Sequence, residues 1–487
     1  MLRPACRPLL LPAAPRAARA GRVAVALAAA SAALAGCGDP GPAAPPNVLL
    51  VVVDTLRADH TSLHGYPRDT TPNLAAFAEG GLVFERARAS SSWTKPSTAS
   101  LMTGLSAAQH GVEQEDGRLP DAAATLAEVL WASGYRTGLF SDNPFVSRGF
   151  GFAQGFEHVY DYASREIARP SGETYDLSDA GAVRKDELAD WKHRAGAPAI
   201  DRELLAWLAS IPESEPWFAH VQYMEPHWPY APPPPFDAKF TDAPIRRSEL
   251  PNLWGVATGF AGAERGTEVG EAERQRLVDA YDAMVAYWDD CFGRLVAQLE
   301  SWGRLRNTIV VVTSDHGEGF FEHGVWAHQN SLYEELVRVP LVIRGPGIAS
   351  GRIARDVASM RVVGTLLALT GHDARDLGAG GTLLDEDAPA WQARLERDGR
   401  TLVATLDRGR KWIFHRWEDG ARVEAFDLAR DPDERLDRAP ALSDHGERLR
   451  ARVERELALE RESGLARAAA RIGDDTREAL RALGYAE

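Results

Sequence analysis

A chain of 487 residues, 45% hydrophobic and 26% charged, has the balance of an ordinary globular protein and is too long for a single small core. Its net charge of −15, from 55 basic and 70 acidic side chains, excludes a general nucleic-acid binder, which needs a basic face. An anionic substrate must then be drawn in by a local cationic centre, for which a metal ion is the obvious means.

The chain opens with Arg3, Arg7, Arg16, Arg19 and Arg22, the small apolar run Val23 to Ala30, and then Leu34-Ala35-Gly36-Cys37. A basic region, an apolar region and small residues at a cleavage point are the order of a secretory signal, here over residues 1–36. The apolar run is short for a membrane span of ~20 residues. Leu-Ala-Gly-Cys resembles the bacterial lipobox, which implies cleavage before Cys37 and lipid chains on that cysteine. Gly38 after the cysteine implies, by the same resemblance, an exported lipoprotein on the periplasmic face of the outer membrane or at the cell surface. An ordinary cleaved signal with Cys37 incidental, or a transmembrane anchor, are the alternatives. Pro40, Pro42, Pro45 and Pro46 make residues 37–46 a stiff tether. Of three cysteines, only Cys291 then remains, so the mature chain has no internal disulfide and no thiolate-rich metal site. Cys291 reads as a buried small hydrophobe.

Asn47 to Val53 is apolar after its first residue and largely β-branched, as in a strand covered on both faces. Pro72 to Glu79, stopped by Gly80-Gly81, and Leu126 to Ser133, stopped by Gly134, read as helices. So does the long stretch from Glu271 to Trp302, stopped by Gly303. Asn307 to Thr313 is a second buried strand and Val339 to Ile343 a third. Alternating strands and helices imply an α/β sandwich, in which ligands bind at the carboxyl ends of the strands. Asp54 and Asp315-His316 fall at such ends. After about Thr370, glycine and aspartate cluster. Thr401 to Thr405, Arg410 to His415 and Val423 to Leu428 then read as short antiparallel strands, and Arg448 to Glu460 as a charged amphipathic helix. The expected division is a catalytic domain over 47–372 and a small α+β subdomain over 373–487.

The run Thr94-Lys95-Pro96-Ser97-Thr98-Ala99-Ser100-Leu101-Met102-Thr103-Gly104, with Asp54 and Asp315-His316-Gly317-Glu318, resembles the active site of the sulfatase family in the alkaline-phosphatase-like superfamily. That resemblance covers nearly everything after Pro46 and implies a large, mixed, mostly parallel sheet sandwiched by helices. Sulfatases carry Cys or Ser at the Thr94 position, within Cys/Ser-x-Pro-x-Arg, and oxidise it to formylglycine. Threonine cannot form that aldehyde, and Thr98 stands where the arginine belongs, so no formylglycine is expected. Families of the superfamily such as nucleotide phosphodiesterases and phosphoethanolamine transferases do use Thr here.

By the same resemblance, Asp54, Thr94, Asp315 and His316 hold one divalent cation. Calcium is the ion implied by the family, whereas a histidine and a threonine oxygen suit Mn²⁺ or Zn²⁺ at least as well. Thr55 replaces a second aspartate of the usual pattern. His227, in Glu225-Pro226-His227-Trp228-Pro229-Tyr230, matches a histidine that contacts the ester oxygen, and His328 lies near the place of a sulfate-binding lysine. His328 would bind substrate or protonate the leaving group. Lys95 would contact the substrate anion or be a solvated lysine, and Arg57 would touch substrate or hold the site's carboxylates. His323 is a weaker candidate, while His60, His64, His110 and His158 read as structural or surface residues. The stretches Tyr160 to Pro198 and Pro232 to Gly270 carry no motif that identifies a substrate.

A sulfated threonine lacks the aldehyde exit of a formylglycine hydrate, so water would have to attack sulfur. A phosphorylated threonine can be resolved by in-line attack. The expectation is a hydrolase of sulfate or of phosphate or phosphonate esters, acting on an anionic glycan, lipid or small molecule. The alternatives are a phosphoethanolamine-type transferase and an inactive surface lipoprotein that binds anionic glycans.

Overall fold

The computed structural model describes residues 44–161, 196–245, 270–373, 377, 381–386, 391–397 and 399–469. The expected signal, Cys37, the tether before Ala44 and most of the two uninterpreted stretches lie outside these residues. Among the described residues no helix is long and apolar enough to cross a membrane.

Strand β1 (Asn47–Val53) is buried beyond its first residue, and its side chains alternate between two cores. Leu49, Val51 and Val53 pack in one apolar cluster, while Val48, Leu50 and Val52 pack in another. Helix α1 (Pro72–Ala78) follows, with proline in its first turn, then β2 (Leu82–Arg88). Next come α2 (Thr94–Thr103), α3 (Leu126–Ala132), β3 (Arg136–Ser141) and β4 (His158–Tyr160). Helix α4 (Ala197–Ser210), β5 (Trp217–Tyr223), α5 (Glu271–Ser301) and β6 (Thr308–Ser314) complete the centre. Strands β7 (Arg338–Val339), β8 (Leu341–Arg344) and β9 (Gly351–Ala358), then α6 (Val362–Leu369), close this part.

These strands form a nine-stranded sheet in the order β7-β2-β8-β6-β1-β5-β3-β4, with β9 paired to β2. Strands β6, β1, β5, β3 and β4 are parallel, whereas β7 and β8 run antiparallel to their neighbours. The expected third strand is thus two, parted at Pro340, which has no N–H to give a ladder. Helices α1, α4 and α5 cover one face through residues such as Leu74, Leu204 and Tyr281. Leu101 of α2, Leu130 of α3 and Leu366 of α6 cover the other.

Beyond residue 391 a four-stranded antiparallel sheet runs β10 (Gln392–Arg397), β11 (Arg400–Asp407), β12 (Arg410–Trp417) and β13 (Gly420–Phe426), followed by α7 (Ser443–Ser463). Ala393 and Leu395 of β10 pack with Trp93 and Met102, against α2. A buried charge cluster joins this sheet to the rest. Lys411 Nζ lies 3.0 Å from both Glu334 Oε1 and Glu434 Oε1, and Arg88 pairs with Glu334 at 2.8 Å. The turn Glu334–Val337 so held sits against Gly317, where a Cβ would come within 2.0 Å of the Glu335 carbonyl oxygen. Replacing Lys411 by Met removes the cation between two buried carboxylates and is expected to cost about 3 kcal/mol in urea unfolding. A loss below about 1 kcal/mol would show that the cluster does not hold the two parts together.

Candidate active site

Strands β1 and β6 are parallel neighbours with Val53 opposite Ser314, so Asp54 and Asp315 leave the sheet side by side. Thr55 then takes a left-handed conformation (φ 58°), unusual for a β-branched residue, and its N–H reaches Asp315 Oδ1 at 3.3 Å. The ligand-type atoms of Asp54, Asp315 and His316 all lie within 4.8 Å of one another, and all three residues are fully buried. His316 Nε2 is 3.5 Å from Asp54 Oδ1, 3.9 Å from Asp315 Oδ1 and 3.3 Å from Thr94 Oγ1. His316 Nδ1–H donates to the Gly317 carbonyl at 2.8 Å, which leaves the lone pair of the neutral ring on Nε2, facing the carboxylates.

Two amides outside the sequence reading complete this arrangement. Asn143 donates to Asp54 Oδ2 at 2.6 Å, and Gln222 donates to Asp315 Oδ2 at 3.1 Å. Both sit at the carboxyl ends of parallel strands, where a polar residue closing a buried strand was the available signal. Burial pushes the Asp315 carboxyl up to about 7 despite N–H donors from Thr55 and His316. Burial, then the neighbouring His328, holds His316 well below the usual histidine range. Carboxylates that are costly to ionise beside a neutral imidazole lone pair fit one divalent cation, which would offset their charge. Thr94 Oγ1 adds a fourth donor on the same side.

Thr94 is the first residue of a ten-residue helix that Gly104 closes in a left-handed conformation (φ 73°). The N–H groups of the first turn and the helix dipole favour an anion in front of it. The C-terminal sheet pins the approach: Arg394 N–H donates to the Ser90 carbonyl at 2.9 Å, and Trp391 Nε1–H to Ala89 at 2.8 Å. Behind the helix, His110 Nδ1 accepts the Val112 N–H at 3.0 Å and Nε2 lies 3.2 Å from the Pro96 carbonyl, a structural role as expected.

His328 and His227 come to the same place. The His328 ring lies 4.5 Å from the His316 ring and 5.1 Å from the His227 ring. His227 Nδ1–H is given to the Trp228 carbonyl at 2.7 Å. Arg57 is spent on structure, bonding Asp59, Glu322 at 2.6 Å and the Glu318 carbonyl at 2.9 Å. These partners belong to the acidic loop and to Asp59, and none of them is the Asp54 or Asp315 carboxylate that Arg57 was expected to hold. Lys95 is fully buried rather than solvated, because its Nζ donates to the carbonyls of Glu115 and Gly117 and lies over the rings of Trp93, Phe145 and Phe150. Burial lowers its pKa well below the usual range. His323 bridges Glu335 at 2.7 Å and the Glu434 carbonyl at 3.2 Å, and so links the acidic loop to the C-terminal part.

Residues 46–372 match the sulfatase family model. An arylsulfatase of Clostridium perfringens is 26% identical over 439 residues, covering 80% of this chain and 89% of its own. The multifunctional alkaline phosphatase superfamily protein PehA of Trinickia caryophylli is 27% identical, covering 62% of this chain and 68% of its own. Among solved structures, the phosphonate monoester hydrolase of Agrobacterium radiobacter is similar in fold, with a TM-score of 0.64 at 23% identity over 86% of this chain and 96% of that one.

If Asp54, Asp315 and His316 hold a cation, EDTA is expected to lower the Tm of the purified protein, and Asp315→Asn to abolish that response. Cation restored at about 100 times its Kd is expected to return about 2.7 kcal/mol of stability. A wild-type Tm indifferent to both chelation and added Ca²⁺, Mn²⁺ or Zn²⁺ would show that these residues hold none of these ions.

Proposed function

This chain belongs to the sulfatase family, a family of ester hydrolases, and on that premise we propose that it hydrolyses phosphate or phosphonate esters with the Thr94 hydroxyl as nucleophile. The observation that carries the reading is the Thr94 oxygen, 3.3 Å from His316 Nε2 at the head of a helix and beside two buried carboxylates. Asp54, Thr94, Asp315 and His316 would hold a divalent cation, whose charge, when bound, lowers the pKa of the hydroxyl. The first-turn N–H groups of α2 orient the anionic group. Thr94 Oγ, its proton lost to solvent, attacks phosphorus in line with the leaving oxygen. The bond from phosphorus to Thr94 forms as the bond to the leaving group breaks, and the departing oxygen takes its electron pair and a proton from His328 Nε2. His227 is placed to contact that oxygen. Water then attacks phosphorus and gives a proton back to His328, and Thr94 Oγ leaves with the electron pair, ready for another turnover.

Sulfate is the second reading, favoured by the likeness to an arylsulfatase. It is the weaker one because a formylglycine hydrate expels sulfate by collapsing to an aldehyde, and a threonine sulfate ester, with no second hydroxyl on its carbon, has no such collapse. A sulfated Thr94 would persist until water attacked sulfur itself. Phosphoryl transfer needs only positioning and charge at both steps.

An ester panel tests this choice: aryl phosphodiester, aryl phosphonate, aryl phosphate and aryl sulfate, each with Ca²⁺, Mn²⁺ or Zn²⁺. Turnover of a phosphorus ester is expected, with Thr94→Ala reducing it about a thousandfold or more. Turnover that survives in Thr94→Ala would remove Thr94 as nucleophile. Sulfate turnover that depends on Thr94 would reverse the choice of anion. Silence on every ester from metal-loaded protein would contradict hydrolysis and favour transfer to an acceptor or glycan binding.

A further inference from the structure

Glu318 lies two residues past His316, is fully buried, and belongs to none of the ligand positions. Its carboxylate is held at both oxygens. Oε1 is 2.8 Å from His328 Nδ1, and Oε2 accepts the Tyr230 hydroxyl at 2.9 Å. Its carbonyl accepts Arg57 Nη1–H at 2.9 Å. The two partners face each other because Gly319–Phe320 pairs antiparallel with Trp326–Ala327, placing Glu318 and His328 at the open end of one short ribbon.

The chain around His328 is shaped to present it. Ala327 and Gln329, on either side, both take left-handed conformations, with φ of 60° and 68°. Such conformations are unfavourable for residues with a side chain and persist where surrounding contacts impose them. Gln329 N–H donates to the Ser92 carbonyl at 3.1 Å, tying this segment to the run that leads into Thr94.

A buried carboxylate is costly, and Tyr230 alone could be satisfied by an amide. An imidazole has a requirement that a carboxylate meets better. It has two ring nitrogens, and proton transfer through one of them is efficient only when the other is fixed as an N–H donor. A carboxylate accepts only, so His328 Nδ1 must carry hydrogen and exchange passes through Nε2. Where the family resemblance puts a lysine, with one nitrogen, no such partner is needed.

We propose that Glu318 is a positioning residue for proton transfer, fixing His328 so that Nε2 serves the leaving oxygen and then the attacking water. This rests on the Thr94 phosphoryl-transfer reading. The hydrogen bond from Nδ1 to the carboxylate is kept through both half-reactions, while one proton moves from Nε2 to the leaving oxygen and one returns from water.

The test is a double-mutant cycle of Glu318→Gln and His328→Ala in the full chain, measured with aryl esters of graded leaving-group pKa. Glu318→Gln is expected to slow the most basic leaving group about a hundredfold and the most acidic one least, steepening the leaving-group dependence. In the His328→Ala background it is expected to add less than about twofold. Nitrogen-15 NMR of labelled histidine, at a pH high enough to leave the ring neutral, is expected to show His328 as the single Nδ1–H tautomer in the wild type and as a mixture of tautomers in Glu318→Gln. Equal slowing of all esters, multiplying losses in the double variant, or an unchanged tautomer would each overturn the proposal. Should Glu318→Gln fail to fold, Tyr230→Phe, which frees Oε2, is expected to give the same steepening in smaller measure, and a flat response there would overturn it too. Thr94→Ala in the same panel separates the two ideas: activity surviving that change refutes the nucleophile and leaves the coupling of Glu318 to His328 to be judged by the cycle.

Discussion

Two aspartates set side by side in a dry interior repel each other, and most of the site follows from how the protein tolerates that. Asp54 and Asp315 are adjacent because β1 and β6 are adjacent and in register. Each carboxylate receives an amide, from Asn143 and Gln222, and Asp315 also receives two backbone N–H groups. Those bonds lessen the cost of ionisation without removing it, since burial still pushes Asp315 up to about 7. A cation would offset what remains, and the imidazole of His316 and the hydroxyl of Thr94 are turned to the same point.

The place of Thr94 depends on parts distant in sequence. The Ser90 carbonyl is held by β10, the Ser92 carbonyl by Gln329, and the turn behind Gly317 by the charge cluster around Lys411. The C-terminal sheet is thus a support for the site, contributing backbone hydrogen bonds and buried ion pairs instead of ligands. Arg57 and Lys95 brace the acidic loop and the segment carrying Gly117 from within, through hydrogen bonds to the Glu318 and Gly117 carbonyls.

Strands β1 and β6 were legible because their apolar runs are nearly unbroken, and α5 because a long helical pattern ends at Gly303, which takes a left-handed φ of 68°. The meeting of Asp54, Asp315 and His316 was legible because strand-end acids and the Thr94 run stand in family order. Strand β2 was not, since Arg88 is buried there only by virtue of Glu334 and Asp356, which lie far along the chain. The fate of Lys95 was hidden for the same reason: Phe145, Phe150 and the Gly117 carbonyl meet it only in three dimensions. Asn143, Gln222 and Glu318 are ordinary polar residues until strand order and the short ribbon give them partners. Sequence pattern reports what each segment buries, and pairing decides which polar groups share that burial.

If Thr94 is the nucleophile, it becomes covalently attached to phosphorus during turnover, which rapid-quench mass spectrometry of the metal-loaded protein with an aryl phosphonate would detect. The expected result is a phosphonyl mass addition on the peptide bearing Thr94, located to that residue, which forms before the steady state and disappears as substrate is exhausted. Steady hydrolysis with no adduct at any quench time, or an adduct on another residue, would show that Thr94 is not the nucleophile.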